Sequence, residues 1–343
     1  MAHGTGPGPG TGWRETYMGG SEEAEKALFR QVLPGVEAIQ ETVARRQNAA
    51  DRRAFHNKGV AITVSLEIAH DLPEHLRVGI LQPGATYRGF GRFSRSQSFR
   101  ARDKDLDQRG FAFRLDAPDG PQDFLFSNTP VSFARDPVVF LQVARIAARS
   151  HRLLVPPRLI LALGIRDGLR VLRNIFAAPD RAIAFTAQQY WSRTPFQIGA
   201  AAGRLFVRPV SAGRRVVATD DPDYLSRDLA DELRRGSRSF ELCTQLFVDE
   251  ARTPIEDASH PWLESDAPPV RLGTVVIPQQ DLDGPEAKAL EQRVEESESF
   301  NPWNTTGLRP LGRSNRARLE AYNRSAAGRG APVRPRTQQE AAG

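Results

Sequence analysis

Residues 60–68 alternate between apolar and polar side chains, in the order Val-Ala-Ile-Thr-Val-Ser-Leu-Glu-Ile. A period of two places alternate side chains on the two faces of an extended strand and does not suit a helix. Similar segments follow at 85–94, 109–117 and 122–127, and residues 116–121 have the composition of a turn. Short strands joined by turns favour an antiparallel sheet or barrel over alternating strands and helices.

The second half of the chain starts with helical sequence and returns to strands. Residues 137–176 have helical character, and four further strands are predicted at 182–187, 204–210, 239–249 and 271–278. Four strands, a helical insertion and four more strands predict an α+β fold, in which a closed antiparallel eight-stranded β-barrel is surrounded by helices. The other predicted helices span 222–235, 284–297 and 313–326.

Changes in composition predict where the folded domain begins and ends. Residues 1–20, rich in glycine, proline and threonine, are expected to be a disordered leader. Ser21 and the acidic residues after it are typical of a helix start, and helical spacing of apolar residues continues to Val43 with a kink at Pro34. One domain is therefore expected over 21–328, followed by a disordered tail over 329–343.

Composition excludes several classes of protein. The single cysteine, Cys243, excludes an intrachain disulfide framework and a cysteine-based metal cluster. No run of 18 apolar residues exists and the N-terminus lacks the features of a signal peptide, which predicts a cytoplasmic location. The net charge of +6 is modest for 343 residues, and basic residues are not interleaved with aromatic ones, so nucleic acid is not an expected partner.

A series of short motifs occurs in a distinctive order. They lie at 53–59, 67–72, 91–94, 109–113, 128–136 and 318–322. Their order and spacing resemble the haem catalase family, most clearly over residues 50–140. Residues 190–199 and 310–316 resemble still more closely the small catalase-related peroxidases and the allene-oxide-synthase-like proteins of that fold. The resemblance implies a catalase-like barrel that holds one haem b and lacks the C-terminal domain of long catalases.

On the distal side of the haem, the resemblance implies three catalytic residues. His56 matches the acid–base histidine, Asn128 the distal asparagine and Ser94 the serine that orients the histidine. A neutral imidazole, with an unperturbed pKa of ~6.5, takes a proton from one peroxide oxygen and returns it to the other. An asparagine amide donates a hydrogen bond to the departing oxygen without adding charge.

On the proximal side, Tyr322 matches the iron ligand and Arg318 the arginine one turn before it. Free tyrosine has a pKa of ~10, so binding iron as tyrosinate needs positive charge nearby. A separation of four residues places both side chains on one face of a helix. The resemblance further implies that Arg53 and Arg92 pair with the haem propionates and that Phe133 packs against the haem.

The resemblance implies an oxidoreductase that decomposes hydrogen peroxide or organic hydroperoxides, with a small organic or lipid electron donor and a homo-oligomeric assembly. Phe55 stands where catalases have a small apolar residue and allene-oxide-type enzymes have threonine, so the preferred peroxide stays open. Two alternatives remain at this point. One is a fatty-acid hydroperoxide isomerase or dehydratase, and the other is a haem-binding protein without turnover.

Residues 153–176 predict a basic amphipathic helix, with leucines and isoleucines on one side and four arginines among them. Such a helix usually packs on its own domain, which is the favoured interpretation. The alternative is peripheral contact with an anionic membrane, where the protein would meet lipid hydroperoxides.

Overall fold

The computed structural model describes residues 8–35, 59–95, 103, 108–176, 183–211, 216, 220–296 and 299–327. Eight antiparallel strands form a closed barrel, as the sequence predicts. They are β1 (Val60–Ile68), β2 (Thr86–Arg95), β3 (Arg109–Ala117), β4 (Gly120–Ser127), β5 (Tyr190–Ile198), β6 (Ala201–Pro209), β7 (Arg238–Leu246) and β8 (Pro269–Ile277). Their order is β4-β3-β2-β1-β8-β7-β6-β5, and β5 closes the barrel on β4 where Trp191 pairs with Ser127. A short strand, β9 (Leu308–Pro310), extends from β5.

The alternation in β1 determines which side chains fill the barrel. Ile62, Val64 and Leu66 are buried inside with the rings of Phe93 and Phe111, whose centroids are 4.6 Å apart. Small barrels are filled by the side chains that point inward. The other set of positions lies on the outer face, where Ala61, Arg92, Ala112 and Leu125 are neighbours across four strands.

Helices surround the barrel, and two of them pack Val294 and Tyr322 against this outer face. The helices are α1 (Glu22–Val32), α2 (Pro137–Arg149), α3 (Val155–Leu163), α4 (Ile165–Phe176), α5 (Tyr224–Arg235), α6 (Pro285–Glu296) and α7 (Arg313–Ala327). Local sequence sets where they begin: Asp136 caps α2 by accepting a hydrogen bond from the Val139 amide at 2.9 Å, directly before Pro137. Of the helices in the described ranges, none has the length and apolar character needed to cross a membrane.

The strand predicted at 182–187 is wrong. Phe185–Ala187 is a 3₁₀ turn, and the strand lies at Tyr190–Ile198. Pro195 conceals this strand in the sequence, because proline removes a donor from the ladder. The structure accommodates it at a register shift between Trp191 and Pro195 in the pairing with β6.

The single amphipathic helix predicted over 153–176 is also wrong, because the chain forms two helices there. Gly164, with a φ of 80°, ends α3, and α4 starts at the next residue. The two helices then pack closely, since a Cβ at Gly168 would lie 2.8 Å from the Cα of Ile160. The sequence pattern predicts one continuous helix because a lone glycine inside a helical pattern is often tolerated.

Residues 8–20 belong to the segment expected to be a disordered leader, but they lie against the barrel. The Gly10 carbonyl accepts a hydrogen bond from the Ala202 amide at 2.8 Å, and the Trp13 indole donates to the Ala200 carbonyl at 3.1 Å. The expectation of disorder therefore does not hold for this part. The remainder of that leader, the continuation of the first helix to Val43 and the expected tail lie outside the described residues.

Candidate active site

Arg318 and Tyr322 face each other on α7. Arg318 Nη2 donates to the phenol oxygen of Tyr322 at 3.5 Å, and the guanidinium carbon is 5.6 Å from the ring centroid. The Tyr322 side chain is only 8% exposed. The second guanidinium nitrogen, Nη1, lies 3.4 Å from Thr194 Oγ1 and 3.3 Å from Asn315 Oδ1. These contacts hold a positive charge beside the buried phenol.

A second guanidinium, from Arg193, lies in the same region. Arg193 is in the irregular segment of β5 and has a φ of 62°, which is uncommon for any residue except glycine. Its side chain donates to Gln108 Oε1 at 2.8 Å and also to Ser127 Oγ. Burial, and next the charge of Arg318, lower the pKa of Arg193 to about 9, while Tyr322 opposes this shift. Sequence reasoning missed this residue, although it lies inside the 190–199 motif.

A cavity of about 310 Å³ opens between α7, α2 and the junction of β4 with β5. Ligand-binding pockets usually have volumes of ~300–1,000 Å³. The polar residues of the lining are Gln108, Ser127, Ser132, Asp136, Ser192, Arg193, Thr194, Ser314, Arg318 and Tyr322. Most of the wall is apolar and includes Leu125, Phe126, Phe133, Phe140, Leu141, Ala317 and Ala321.

Three residues singled out from the sequence, Phe133, Arg318 and Tyr322, line this one cavity. The Phe133 ring stacks on Phe140 of α2, with centroids 4.8 Å apart and planes inclined by 22°. Phe133 is therefore held as part of an aromatic wall. Sequence spacing could not show this, because residues 133 and 322 meet only when α7 packs across the barrel.

Arg92 and Ser94 lie on the outer face of β2. The Arg92 guanidinium is 5.4 Å from the centroid of Phe300, and its Nη1 is 3.8 Å from Glu295 Oε1 on α6. In the described part of the chain, the buried Ser94 hydroxyl has no hydrogen-bond partner. Gly59 passes close by, since a Cβ there would lie 2.9 Å from the Ser94 Cα. Neither Arg92 nor Ser94 is among the described residues that line the cavity.

Asn128 is buried at the end of β4, and both ends of its carboxamide are engaged. Oδ1 accepts from the Arg109 amide at 2.8 Å, and Nδ2 donates to Gln188 Oε1 at 2.7 Å. These bonds fix the side chain, and Asn128 is not among the described residues that line the cavity. Arg53 and His56 lie outside the described residues.

Similarity to known proteins was found in both sequence and structure. The catalase family model matches residues 30–156. Catalase A of Pseudomonas putida is 27% identical over 267 residues, which cover 69% of this chain and 54% of the relative. Catalase of Staphylococcus epidermidis is 33% identical over 102 residues, or 29% of this chain and 20% of the relative. The chain is thus similar to the catalase family, in agreement with the order of its motifs.

Solved catalases share the fold of this chain. A bacterial catalase superposes with a TM-score of 0.63 at 18% sequence identity, covering 86% of this chain and 60% of the other. A fungal catalase superposes with a TM-score of 0.60 at 18% identity, covering 84% and 61%. The resemblance that the motifs indicated is thus confirmed. The chain spans about half the length of the first curated catalases that it matches.

The residues around the cavity fit a haem. Tyrosine oxygen is the axial ligand of catalase haem, and Tyr322 presents a phenol to the cavity with a guanidinium beside it. The aromatic and aliphatic walls suit the faces of a porphyrin. Two guanidinium groups at one end favour a bound oxygen anion. The donor set therefore agrees with haem bound through Tyr322.

Proposed function

We propose that this catalase-like chain is a haem-dependent oxidoreductase that decomposes peroxides. The observation that carries the proposal is the buried Tyr322 phenol, which receives a hydrogen bond from Arg318 and faces an apolar cavity. Its fold and the match to catalases over residues 30–156 support the same conclusion. The proposal includes hydrogen peroxide or an organic hydroperoxide as substrate, an organic or lipid electron donor, a homo-oligomer and a cytoplasmic location.

Tyr322 would hold the haem through its phenol oxygen. When bound, the haem iron supplies the redox chemistry. Arg318 would stabilise negative charge on that oxygen, because its guanidinium stays protonated and positively charged. Phe133 and the other apolar residues of the cavity wall would limit the access of water to that oxygen. The protein thus contributes a fixed, electron-rich ligand in a dry environment.

On the distal side, His56 takes a proton from one peroxide oxygen and returns it to the other. Ser94 orients that imidazole, and its buried hydroxyl, for which the described residues offer no partner, supports this role. Asn128 Nδ2 would give its second N–H to the substrate, because the first is donated to Gln188 Oε1. Arg53 and Arg92 would hold the haem carboxylates.

The test uses protein expressed with a supply of haem. The purified chain should show a haem absorption spectrum and decompose hydrogen peroxide or a lipid hydroperoxide. Tyr322→Phe should lose haem or change its spectrum, because the ligand oxygen is removed. His56→Ala should keep the spectrum and lose most turnover. Tyr87→Phe, on the partly exposed end of β2, is the matched control for removing a phenol oxygen.

Two results would overturn the proposal. An unchanged spectrum and full haem content in Tyr322→Phe would remove Tyr322 as the ligand. Full turnover in the His56 variant would remove the proposed distal role. Conversion of a fatty-acid hydroperoxide to a rearranged product, without consumption of a donor, would instead identify the isomerase or dehydratase alternative.

A further inference from the structure

Exposed apolar side chains are concentrated on one small part of the surface. In the described ranges, nine large hydrophobic residues are exposed, and six of them lie between positions 153 and 176. Single exposed apolar residues are normal on protein surfaces, but a cluster indicates a site of interaction. The six are Leu153, Leu154, Leu161, Ile165, Leu169 and Phe176.

Four of these residues lie on the hairpin formed by α3 and α4, and Leu153 and Leu154 lie in the turn just before it. Leu161 and Ile165, which are 87% and 71% exposed, lie on either side of the turn at Gly164. We call Leu161 and Ile165 the apolar tip. The opposite side of the hairpin packs on the domain, because Leu159 and Val171 are buried in one cluster with residues of α2. The core of the domain therefore does not use the apolar tip.

Positive charge surrounds the apolar tip. Residues 151–176 contain five arginines and one acidic residue, Asp167. Asp167 is paired at 3.2 Å with Arg135, which lies outside the hairpin, and is 3.8 Å from Arg170. Arg158, Arg166 and Arg173 are exposed. The hairpin therefore presents apolar side chains flanked by cations.

We propose that this hairpin docks the protein on the surface of an anionic phospholipid membrane, with the apolar tip inserted at the level of the headgroups. Arginines next to exposed leucine, isoleucine and phenylalanine are the combination that such surfaces bind. A second copy of the chain is a poorer occupant, because two hairpins with the same excess of arginine would repel each other. Charge complementarity thus selects the lipid surface.

The hairpin is connected to the cavity. Asn174 of α4 donates from Nδ2 to the Ser132 carbonyl at 3.3 Å, and Ser132 lines the cavity. Helix α2 lies between the two, with Val143 in the cluster under the hairpin and Leu141 in the cavity wall. The Asn174 contact lies ~14 Å along α4 from Ile165, so docking would hold this part of the cavity wall about that far from the inserted tip. Resting on the proposed function, this identifies hydroperoxides of membrane lipids as the substrate class.

The test is sedimentation of the haem-loaded full chain with vesicles. Vesicles of phosphatidylcholine with ~30% phosphatidylserine should bind the protein, vesicles of phosphatidylcholine alone should bind it weakly, and added salt should reduce binding. The double variant Leu161→Ser with Ile165→Ser should lose at least about five-fold in vesicle affinity. Val210→Ser with Leu263→Ser, which removes exposed apolar residues elsewhere, is the matched control and should bind as the original chain does.

A loss smaller than about five-fold, or an equal loss in the control, would overturn membrane docking. So would self-association without vesicles that the tip variants abolish. The tip variants should keep the haem spectrum and hydrogen peroxide turnover while turning over vesicle-bound lipid hydroperoxide more slowly. If haem or all turnover is absent from the original chain, the proposed function fails, whereas vesicle binding is still measured independently.

Discussion

Thr194 donates its hydroxyl to Asn315 Oδ1 at 3.0 Å, so the irregular segment of β5 is fastened to the first turn of α7. Asn315 is fully buried and also donates from Nδ2 to the carbonyls of Pro195 at 3.1 Å and Leu311 at 3.0 Å. Helix α7 carries both Arg318 and Tyr322. One asparagine therefore sets where the helix that carries Arg318 and Tyr322 starts relative to the barrel.

Asn315→Ala should lower the free energy of unfolding by about 2–3 kcal/mol, because it leaves buried polar groups without partners. Urea unfolding measures this loss. Haem content should also fall, since α7 is no longer fixed. The control is Asn323→Ala on the same helix, where the half-buried amide accepts a single long bond of 3.3 Å from Asn301. Equal losses in the two variants would contradict the special role of Asn315.

Arg316→Ala should destabilise the protein by about 3–5 kcal/mol, because it leaves a carboxylate buried without its partner. Arg316 Nε donates to the nearly fully buried Glu25 at 2.5 Å, and Nη1 donates to Glu15 at 2.5 Å. Burial opposes the charge of Arg316, but these carboxylates and Glu256 outweigh it and raise its pKa.

A pKa raised on folding gives stability that is fully present below the ordinary pKa of arginine and is lost only at higher pH. The contribution of Arg316 should therefore be complete at neutral pH and unchanged between pH 7 and 9. Urea unfolding of both proteins across that range measures it. If the difference in free energy of unfolding between Arg316→Ala and the original chain became smaller between pH 7 and 9, the prediction would be contradicted.

The thiol of Cys243 should be unreactive in the folded protein. Burial raises its pKa to about 11, and the side chain is fully buried in β7. At pH 8 about one thiol in a thousand would be ionised, and the thiolate is the reactive form. Labelling with a chromogenic disulfide should be slow in buffer and rapid in denaturant. As the sequence contains one cysteine, any fast native labelling would contradict the prediction directly.

Gly168→Ala should destabilise the hairpin, although helix propensity alone predicts a gain of ~1 kcal/mol from this change. The new Cβ would lie 2.8 Å from the Ile160 backbone, so α3 and α4 must separate. The midpoint temperature of thermal unfolding and the affinity for vesicles should both decrease. Gly236→Ala is the control, because a Cβ there meets only Arg238 Nη1 at 3.9 Å and the backbone is extended. A stabilised Gly168→Ala variant would show that the two helices do not pack this closely.

Much of the barrel could be predicted from local patterns. β1 and β3 begin and end where the alternation of apolar residues predicts, and the turn before Gly120 joins β3 to β4 as expected. The failures lie where tertiary contacts override local preference. Pro195 makes β5 difficult to predict as a strand, and Gly164 divides into two helices a segment whose pattern predicts one. Trp13 and Glu15 belong to a leader expected to be disordered. Contacts with distant parts of the chain, at Ala200 and Arg309, hold them in place.

For the site, the sequence by itself determined the proximity of Arg318 and Tyr322, because four residues span one helical turn wherever the helix lies. It also indicated the family through the order of its motifs. Only the tertiary structure decided that Phe133 joins these two residues in one cavity, that Arg193 adds a second guanidinium there, and that Asn128 is held by Gln188. The physical reason is that local spacing fixes which side chains share a face of one element. Closure of the barrel and the packing of α2 and α7 on its outer surface fix which faces meet.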